Sequence, residues 1–276
     1  MRLGLGKGIS EPNPAGVVVS VERNSFTNAK SLDLDGVNDY AKFSTGVNTF
    51  NSTLGAGSFS MSWWVKLADV FDTGSIGHMA LTYQIAFAPT RINYLGGIFG
   101  PNHGTASYRN KMLFQHSVNG TAYFTTFSTD LSSTLSDDTW FHVVYTSKAN
   151  ASDRTGKIYI NGTDVTGTDT SSAVDFSSTT NADWRIGNYT FNTSPSRYEE
   201  MNIDEMTWYD TELSASQVST IYNGGVPGNR ASDANLVGYW RFGDGTGDTS
   251  AQAADQSTNS NLIRYTGATE SSDVPS

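Results

Sequence analysis

The chain has 276 residues, of which 37% are hydrophobic and 16% charged, and its formal net charge is −10. This length suits one large β-sandwich or two small domains and suffices to bury a sizeable core. Nucleic-acid binders need basic faces that neutralise phosphate. Because this chain is acidic, we expect no binding to nucleic acid or to anionic membranes. No apolar run has the length of a membrane span, and the absence of cysteine excludes disulfides and thiolate metal sites.

The first 28 residues differ from the rest in being rich in glycine and proline. We predict that residues 1–28 form an extended arm or anchor, with at most one short strand at Val17–Val21. The basic start, MRLGLGKGIS, is not followed by an apolar stretch of the length of an export signal, so no secretion signal is expected. Residues 29–276 are predicted to form one domain.

From residue 30 onward, apolar and polar residues alternate with period two, which predicts β-strands. Phe59–Leu67 is the clearest case, because every second residue from Phe59 onward is apolar. Trp140–Thr146 is apolar on both faces and is predicted to be a central strand. Asn119-Gly120 and Asn161-Gly162 predict tight hairpins, since both residue types tolerate positive φ. Further strands are predicted at residues 31–35, 111–118, 121–127, 157–160, 184–187 and 201–209, with two irregular strands and a long loop in 68–110.

One short helix is predicted at about residues 214–223. Ser214 and Gln217 have the spacing of a capping box, and Leu213 and Val218 have that of a hydrophobic staple. A glycine pair directly after this segment is expected to end the helix. A lone short helix in an otherwise β-rich chain is expected to dock on a sheet.

Five segments, in this order, resemble the laminin-G-like domain in its broad concanavalin A-like form, which is common in bacteria and phages. They are SLDLDGVNDYAKF (31–43), FSMSWWVK (59–66), WFHVVYT (140–146), GKIYINGTDV (156–165) and IDEMTWYDTELSASQVSTIYNGG (203–225). The resemblance covers roughly residues 30–265. It implies an all-β fold, a two-sheet antiparallel jelly-roll sandwich that acts as a binding domain.

The segment LVGYWRF (236–242) resembles the opening strand of that family but comes after the closing helix. It either begins a second, truncated domain or belongs to a permuted single domain. Too few residues remain after it to bury a second core, which favours permutation. Residues 226–276 are then predicted to supply a closing edge strand, which covers an otherwise exposed sheet edge, and a tail.

Catalysis is considered because related sandwiches include glucanases, which use two carboxylates on one face of a strand. Asp204 and Glu205 are adjacent, so an unbroken strand would direct them to opposite faces. The E-x-D-x-x-E pattern of those glucanases and a serine nucleophile elbow do not occur in the sequence. We therefore expect a non-catalytic protein, with glycan hydrolysis as an alternative.

A calcium site is a second candidate, because Ca²⁺ takes six to eight oxygen ligands from carboxylates, amides and carbonyls. Similar domains often carry calcium near the loop after the first strand. The candidate ligands surround the turn at Gly36, with one distant partner; they are Asp33, Asp35, Asn38, Asp39 and Asp204. The same residue types also form such a turn without a metal, and both interpretations stay open.

A sugar site is a third candidate, since such sites pair an exposed aromatic ring with a few polar groups. The stretch between Trp184 and Tyr198 mixes aromatic, amide and guanidinium side chains. The candidate ligand-binding residues are Trp184, Arg185, Asn188, Tyr189, Phe191, Arg197 and Tyr198. Each of them, taken singly, also fits a structural role.

The arrangement of the tail resembles that of virion proteins from tailed, especially marine, phages. This resemblance implies a virion protein, made in the host cytoplasm, that decorates a capsid or tail and contacts host glycans. Residues 1–28 are expected to tie it to other virion proteins or to sister subunits of a homo-oligomer. The alternative is a free or cell-surface carbohydrate-binding module that acts outside the cell.

Overall fold

The computed structural model describes residues 26–43, 57–71, 78–85, 93–117, 123–150, 153–170, 182–191 and 194–276. Within these ranges the chain forms two large antiparallel β-sheets that pack face to face and a separate two-stranded hairpin, so the predicted all-β jelly-roll sandwich is confirmed. Residues 1–28 lie outside the described residues except for the last three, and so does the predicted turn at Asn119-Gly120.

The described strands and helix are numbered in chain order. The strands are β1 (Ser31–Asp35), β2 (Tyr40–Phe43), β3 (Phe59–Leu67), β4 (His78–Ile85), β5 (Asn93–Phe99), β6 (Lys111–Ser117), β7 (Tyr123–Ser128), β8 (Phe141–Asn150), β9 (Asp153–Ile160), β10 (Thr163–Asp164), β11 (Thr166–Thr170), β12 (Ala182–Ile186), β13 (Asn188–Phe191), β14 (Ser194–Tyr198), β15 (Glu200–Tyr209), β16 (Leu236–Trp240), β17 (Gln252–Ala254), β18 (Leu262–Thr266) and β19 (Thr269–Ser271). The helix is α1 (Ala215–Tyr222).

The first sheet has the order β10–β9–β8–β3–β15–β1–β19, and the second has the order β11–β7–β6–β5–β4–β12–β2–β18–β17. One edge of β15 is shared, because residues 200–203 pair with β1 and residues 206–209 pair with β16. The strand expected at 236–242 thus lies end to end with β1. Since β17 and β18 join the second sheet and β19 joins the first, the segment after the helix contributes to both sheets.

The core lies between the two sheets and is rich in aromatic rings. The alternation predicted in β3 is confirmed, because every second residue from Phe59 to Leu67 is buried in this core. The predicted central position of β8 is also confirmed, since it pairs with β3 on one side and β9 on the other. Trp184 and Trp208 meet edge to face with ring centroids 4.8 Å apart, a geometry that aromatic quadrupoles favour.

Helix α1 begins and ends as the sequence predicts. Ser214 and Gln217 form the capping box, with the Ser214 N–H donating to Gln217 Oε1 at 2.9 Å. Val218 and Ile221 are buried on the outer face of the first sheet, in a small cluster with residues of β8, β9 and β15. Asn223 and Gly224 adopt left-handed φ values of 50° and 67° and end the helix. In the described part of the chain, no helix is both long enough and apolar enough to span a bilayer.

Candidate functional site

The predicted ligand-binding residues lie on β12 and on the adjoining hairpin of β13 and β14. β12 runs between β2 and β4 in the second sheet, and Gly187 leads from it into the hairpin. Gly187 has a φ of +73°, and a Cβ at this position would overlap Leu34 Cδ2 in the core, so the turn requires glycine. The side chains of Tyr189 and Phe191 lie outside the described part of the structure.

Trp184 is a core residue, and its predicted role in ligand binding is wrong. It is 0% exposed, and its ring also packs edge to face against Phe43 at a centroid distance of 6.3 Å. Because successive side chains of a strand point to opposite faces, Trp184 points between the sheets and Arg185 points outward. A sugar cannot reach the Trp184 ring without opening the sandwich.

Three half-buried side chains form one surface on the outer side of the second sheet: Tyr40, Arg185 and Tyr198. The guanidinium carbon of Arg185 lies 5.0 Å from the centroid of the Tyr40 ring. The ring centroids of Tyr40 and Tyr198 are 6.5 Å apart, with an interplanar angle of 39°. We call these three residues the Tyr–Arg surface. It combines two aromatic rings with a planar group of hydrogen-bond donors.

Two buried polar residues hold this surface in place. Asn188 is fully buried; its Oδ1 accepts a hydrogen bond from Arg185 Nη1 at 3.1 Å, and its Nδ2 donates to the Arg197 carbonyl at 2.9 Å. Glu199 is 1% exposed and forms a salt bridge with Arg197 Nε at 3.1 Å. Asn188 and Arg197, predicted to contact ligand, are therefore engaged in positioning the hairpin, and such support fixes the geometry of a binding surface.

Tyr40 was missing from the sequence-based set of ligand-binding residues. The alternating pattern of β2 indicates that Tyr40 faces outward, because Ala41 and Phe43 are buried and Tyr40 and Lys42 alternate with them. The proximity of Tyr40 to Tyr198 has no local signal, because it depends on the pairing of β2 with β12.

The turn after β1 is held by its own side chains. Asp35 Oδ1 accepts hydrogen bonds from the N–H groups of Val37 at 2.8 Å and Asn38 at 3.3 Å. Asp39 in turn accepts from the Asp35 N–H at 3.2 Å. The Val37 hydrogen bond is the main cause that lowers the pKa of Asp35, whereas burial raises the pKa of Asp39.

The other two candidate metal ligands lie away from this turn. Asp33 Oδ1 accepts from Asn202 Nδ2 at 3.0 Å. Asp35 pairs with Glu200, which precedes Asp204 by four residues, or roughly 13 Å along a strand. The described residues contain no group of three or more His, Asp or Glu side chains placed to hold a metal. The five predicted ligands therefore do not fit one calcium site, and calcium at the turn itself stays a prediction.

The expectation that Asp204 and Glu205 point to opposite faces is wrong, because β15 contains a bulge. Glu205 has a φ of +48°, and the register with β3 shifts between Asp204 and Thr207. A bulge inserts one extra residue and reverses the facing of the residues after it. Asp204 pairs with Trp64, Glu205 lines the same small cavity as Trp64, and Met206 returns to the core. Both carboxylates therefore lie on the outer face of the first sheet.

These carboxylates are nevertheless enclosed. Asp204 is 0% and Glu205 5% exposed. Glu205 accepts hydrogen bonds from Arg241 Nε at 2.9 Å and from the Tyr239 hydroxyl. Burial raises the pKa of Glu205 to about 7 against the opposing effect of Arg241, and it also raises the pKa of Asp204. A glycosidase needs two carboxyl groups that reach the substrate, whereas both of these are buried and Glu205 instead anchors the segment after α1.

Ser62 and His142 form a second pair that could suggest catalysis. Ser62 Oγ lies 3.2 Å from His142 Nε2, the contact expected of a nucleophile and its base. His142 Nδ1, however, has no hydrogen-bond partner among the described residues, so no third group orients the ring as a triad requires. Both side chains are buried, and burial lowers the pKa of His142 to about 3.

Comparison with known proteins places the fold. Residues 35–219 match the family model described as the concanavalin A-like lectin/glucanases superfamily. The chain is similar to the structure of a Bacteroides ovatus protein to which carbohydrate binding is provisionally assigned, with a TM-score of 0.60 and 16% identity over 95% of this chain and 67% of that one.

More distant similarities involve two other structures. One is the structure of botulinum neurotoxin type C, a toxin whose cell entry depends on interaction with two ganglioside molecules (TM-score 0.44, 15% identity, 78% of this chain and 50% of that one). The other is a pentraxin from Limulus polyphemus (TM-score 0.45, 10% identity, 87% and 96%). The chain thus spans about half the length of the neurotoxin chain, and no curated protein matches it.

Proposed function

The chain belongs to the concanavalin A-like lectin/glucanase superfamily, and from this premise we propose that it binds glycans without cleaving them. Membership alone does not assign a function. The observation that carries the proposal is the Tyr–Arg surface, where two half-buried rings and a guanidinium group share one outward face.

The chemistry of this surface suits a sugar. A pyranose ring has an apolar C–H face, which packs on aromatic rings, and a rim of hydroxyl groups, which accept hydrogen bonds from a guanidinium group. Tyr40 and Tyr198 are half-buried and have few rotatable bonds, so binding orders them at little entropic cost. Arg185 is held by Asn188 beneath it, so its donors are already oriented before a ligand arrives.

The enclosed acid pair and the buried Ser62–His142 pair support binding without hydrolysis, because neither is open to a substrate. Assays for reducing-sugar release from the glycans that bind test this point. Release that is lost in Glu205→Gln but retained in Tyr108→Phe would favour the hydrolase alternative.

A glycan array with the purified chain tests the proposal directly. Tyr198→Ala and Tyr40→Ala are each expected to weaken binding by up to about tenfold, as the loss of one aromatic contact implies. The matched control is Tyr108→Ala, because Tyr108 is also half-buried and stacks on His103 elsewhere in the chain. A blank array, or an equal loss in the control, contradicts the proposal. A parallel array with EDTA tests the predicted calcium.

We place this binding activity on the surface of a phage particle, with the N-terminal arm as the attachment to other virion proteins. The tail resemblance and the glycine- and proline-rich arm support this location. The test is removal of residues 1–25 and co-sedimentation with particles. Thr27 and Asn28 stay in place because they contact Arg241 and Pro275. Unchanged sedimentation favours a free or cell-surface module instead, and light scattering of both forms reports whether the arm makes a homo-oligomer.

A further inference from the structure

The outer face of the second sheet continues beyond Tyr40 onto two strands that follow helix α1 in the chain. Thr266 in β18 stands directly opposite Tyr40 in β2, and Gln252 in β17 stands directly opposite Arg264 in β18. Because Ile263 is buried in the core and successive side chains of a strand point to opposite faces, Arg264 and its partner Gln252 face outward. Thr266 is two residues from Arg264 and shares this face. We call Gln252, Arg264 and Thr266 the polar strip.

The side chains of the polar strip can reach a ligand. Arg264 and Thr266 are exposed, and Gln252 is half-buried. The Arg264 guanidinium group donates hydrogen bonds, whereas the Gln252 amide and the Thr266 hydroxyl both donate and accept them. Sugar hydroxyl groups likewise both donate and accept, so the strip offers the mixture of groups that hydrogen-bonds a sugar.

The ring of Tyr40 lies between the Tyr–Arg surface and the polar strip. The Arg185 guanidinium carbon lies 5.0 Å from the ring centroid and approaches from β12, on one side of β2. Thr266 stands on β18, on the other side of β2. Since Arg185 covers the ring face toward β12, the opposite face is turned toward β18. A sugar stacked on that face therefore lies beside Thr266 and leads toward Arg264.

The polar strip lies outside the part of the chain that matches the family model. That match covers residues 35–219, whereas β17 and β18 lie within residues 252–266. The segment after α1 thus adds outward polar groups to the second sheet, directly beside β2 of the matched region. What these groups select is a property of this chain, and family membership does not supply it.

We infer that the glycan site continues from the Tyr–Arg surface to the polar strip, which hydrogen-bonds a second sugar residue of the same glycan. This inference rests on the proposed function and names its ligand class. From β12 to β17 the site crosses three strand spacings, or about 14 Å at the backbone. A single pyranose ring is shorter than this distance. The ligand is therefore a chain of two or more sugar residues, of which one stacks on the tyrosines and the next contacts the strip.

The experiment measures affinity by titration calorimetry for oligomers of glucose, galactose and xylose that are one to four sugar residues long. Stepwise truncated forms of any other glycan that binds on the array are added to this set. The native chain is expected to bind a tetrasaccharide more tightly than the matching monosaccharide. Arg264→Gln/Thr266→Val is expected to lose about tenfold in affinity for the tetrasaccharide, as the loss of two hydrogen bonds implies, and nothing for the monosaccharide.

The matched control is Lys148→Gln/Thr168→Val, because both residues are exposed and lie on β8 and β11, away from the strip. Both double variants are expected to unfold at the temperature of the native chain, which separates lost binding from lost structure. Equal affinity for one and for four sugar residues, with both lost in Tyr198→Ala, overturns the second subsite while the proposed function stands. A length-dependent affinity that Arg264→Gln/Thr266→Val leaves unchanged, or that the control lowers equally, overturns it as well. No binding to any glycan overturns both.

Discussion

The ion pair between Arg241 and Glu205 joins the segment after α1 to the bulge of the first sheet. The side chain of Arg241 is 14% exposed and that of Glu205 is 4% exposed, and Arg241 Nε lies 2.9 Å from Glu205 Oε1. Arg241 also donates from Nη1 to the Asp244 carbonyl at 3.1 Å, and its guanidinium carbon lies 4.3 Å from the centroid of the Phe26 ring. We predict the effect of Arg241→Met, which keeps an unbranched chain and removes the charge.

The loss of one partner from a buried pair lowers the free energy of unfolding by about 3–5 kcal/mol, because the other charge stays desolvated. This loss requires an ionised Glu205. Burial raises the folded-state pKa of Glu205 from 4.5 to about 7, and Arg241 opposes that rise, so the substitution raises this pKa further. A raised carboxyl pKa means that the protonated form stabilises the fold. That contribution is complete below about pH 4.5 and is lost as the pH rises through 7. Arg241→Met is therefore expected to cost most at pH 8 and least at pH 5.

Denaturant unfolding at both pH values measures these differences by linear extrapolation. The native chain, Arg241→Met and the double variant Glu205→Gln/Arg241→Met are compared. The double variant should recover most of the free energy of unfolding that Arg241→Met loses at pH 8. The reason is that Glu205→Gln removes the buried carboxylate that the single variant leaves without a cationic partner. An equal loss at pH 5 and pH 8, or a double variant no more stable than the single one, would refute the assignment of the cost to an unpaired buried charge.

Three further predictions concern local structure. Ser214→Ala removes the capping box and should lower stability by about 1 kcal/mol in thermal unfolding, whereas Ser216→Ala, inside the helix, should not. Gly187→Ala should destabilise by more than about 1 kcal/mol and weaken glycan binding, while Gly104→Ala, with open space around it, should change neither. Deletion of residues 236–276 removes strands from both sheets and should yield aggregated chain in size-exclusion chromatography; a monodisperse, folded product would contradict the shared architecture.

Sequence alone predicted the features that depend on short repeats. The period-two pattern of β3, the doubly apolar β8 and the capping box at Ser214 each lie within a few neighbouring residues, so local physics determines them. The bulge at Glu205 has no such signal, because a glutamate gives no indication of a positive φ. Trp184 was misassigned because β12 is too short for its pattern to show which of Trp184 and Arg185 faces the core. Tyr40 and Tyr198 come together through the pairing of β2 with β12, which the sequence around neither tyrosine indicates.

The two outer faces of the sandwich use their polar groups differently, and this difference supports the proposed binding surface. On the first sheet, the Asp204–Glu205 pair and the Ser62–His142 pair are buried and engaged with protein partners. On the second sheet, Tyr40, Lys42, Arg185 and Arg264 reach the solvent at least in part. A side chain that reaches the solvent can contact a ligand, whereas a side chain enclosed between protein elements cannot. A ligand is therefore expected on the second sheet, and the carboxylates that resemble a glucanase pair by residue type belong to the structure of the first.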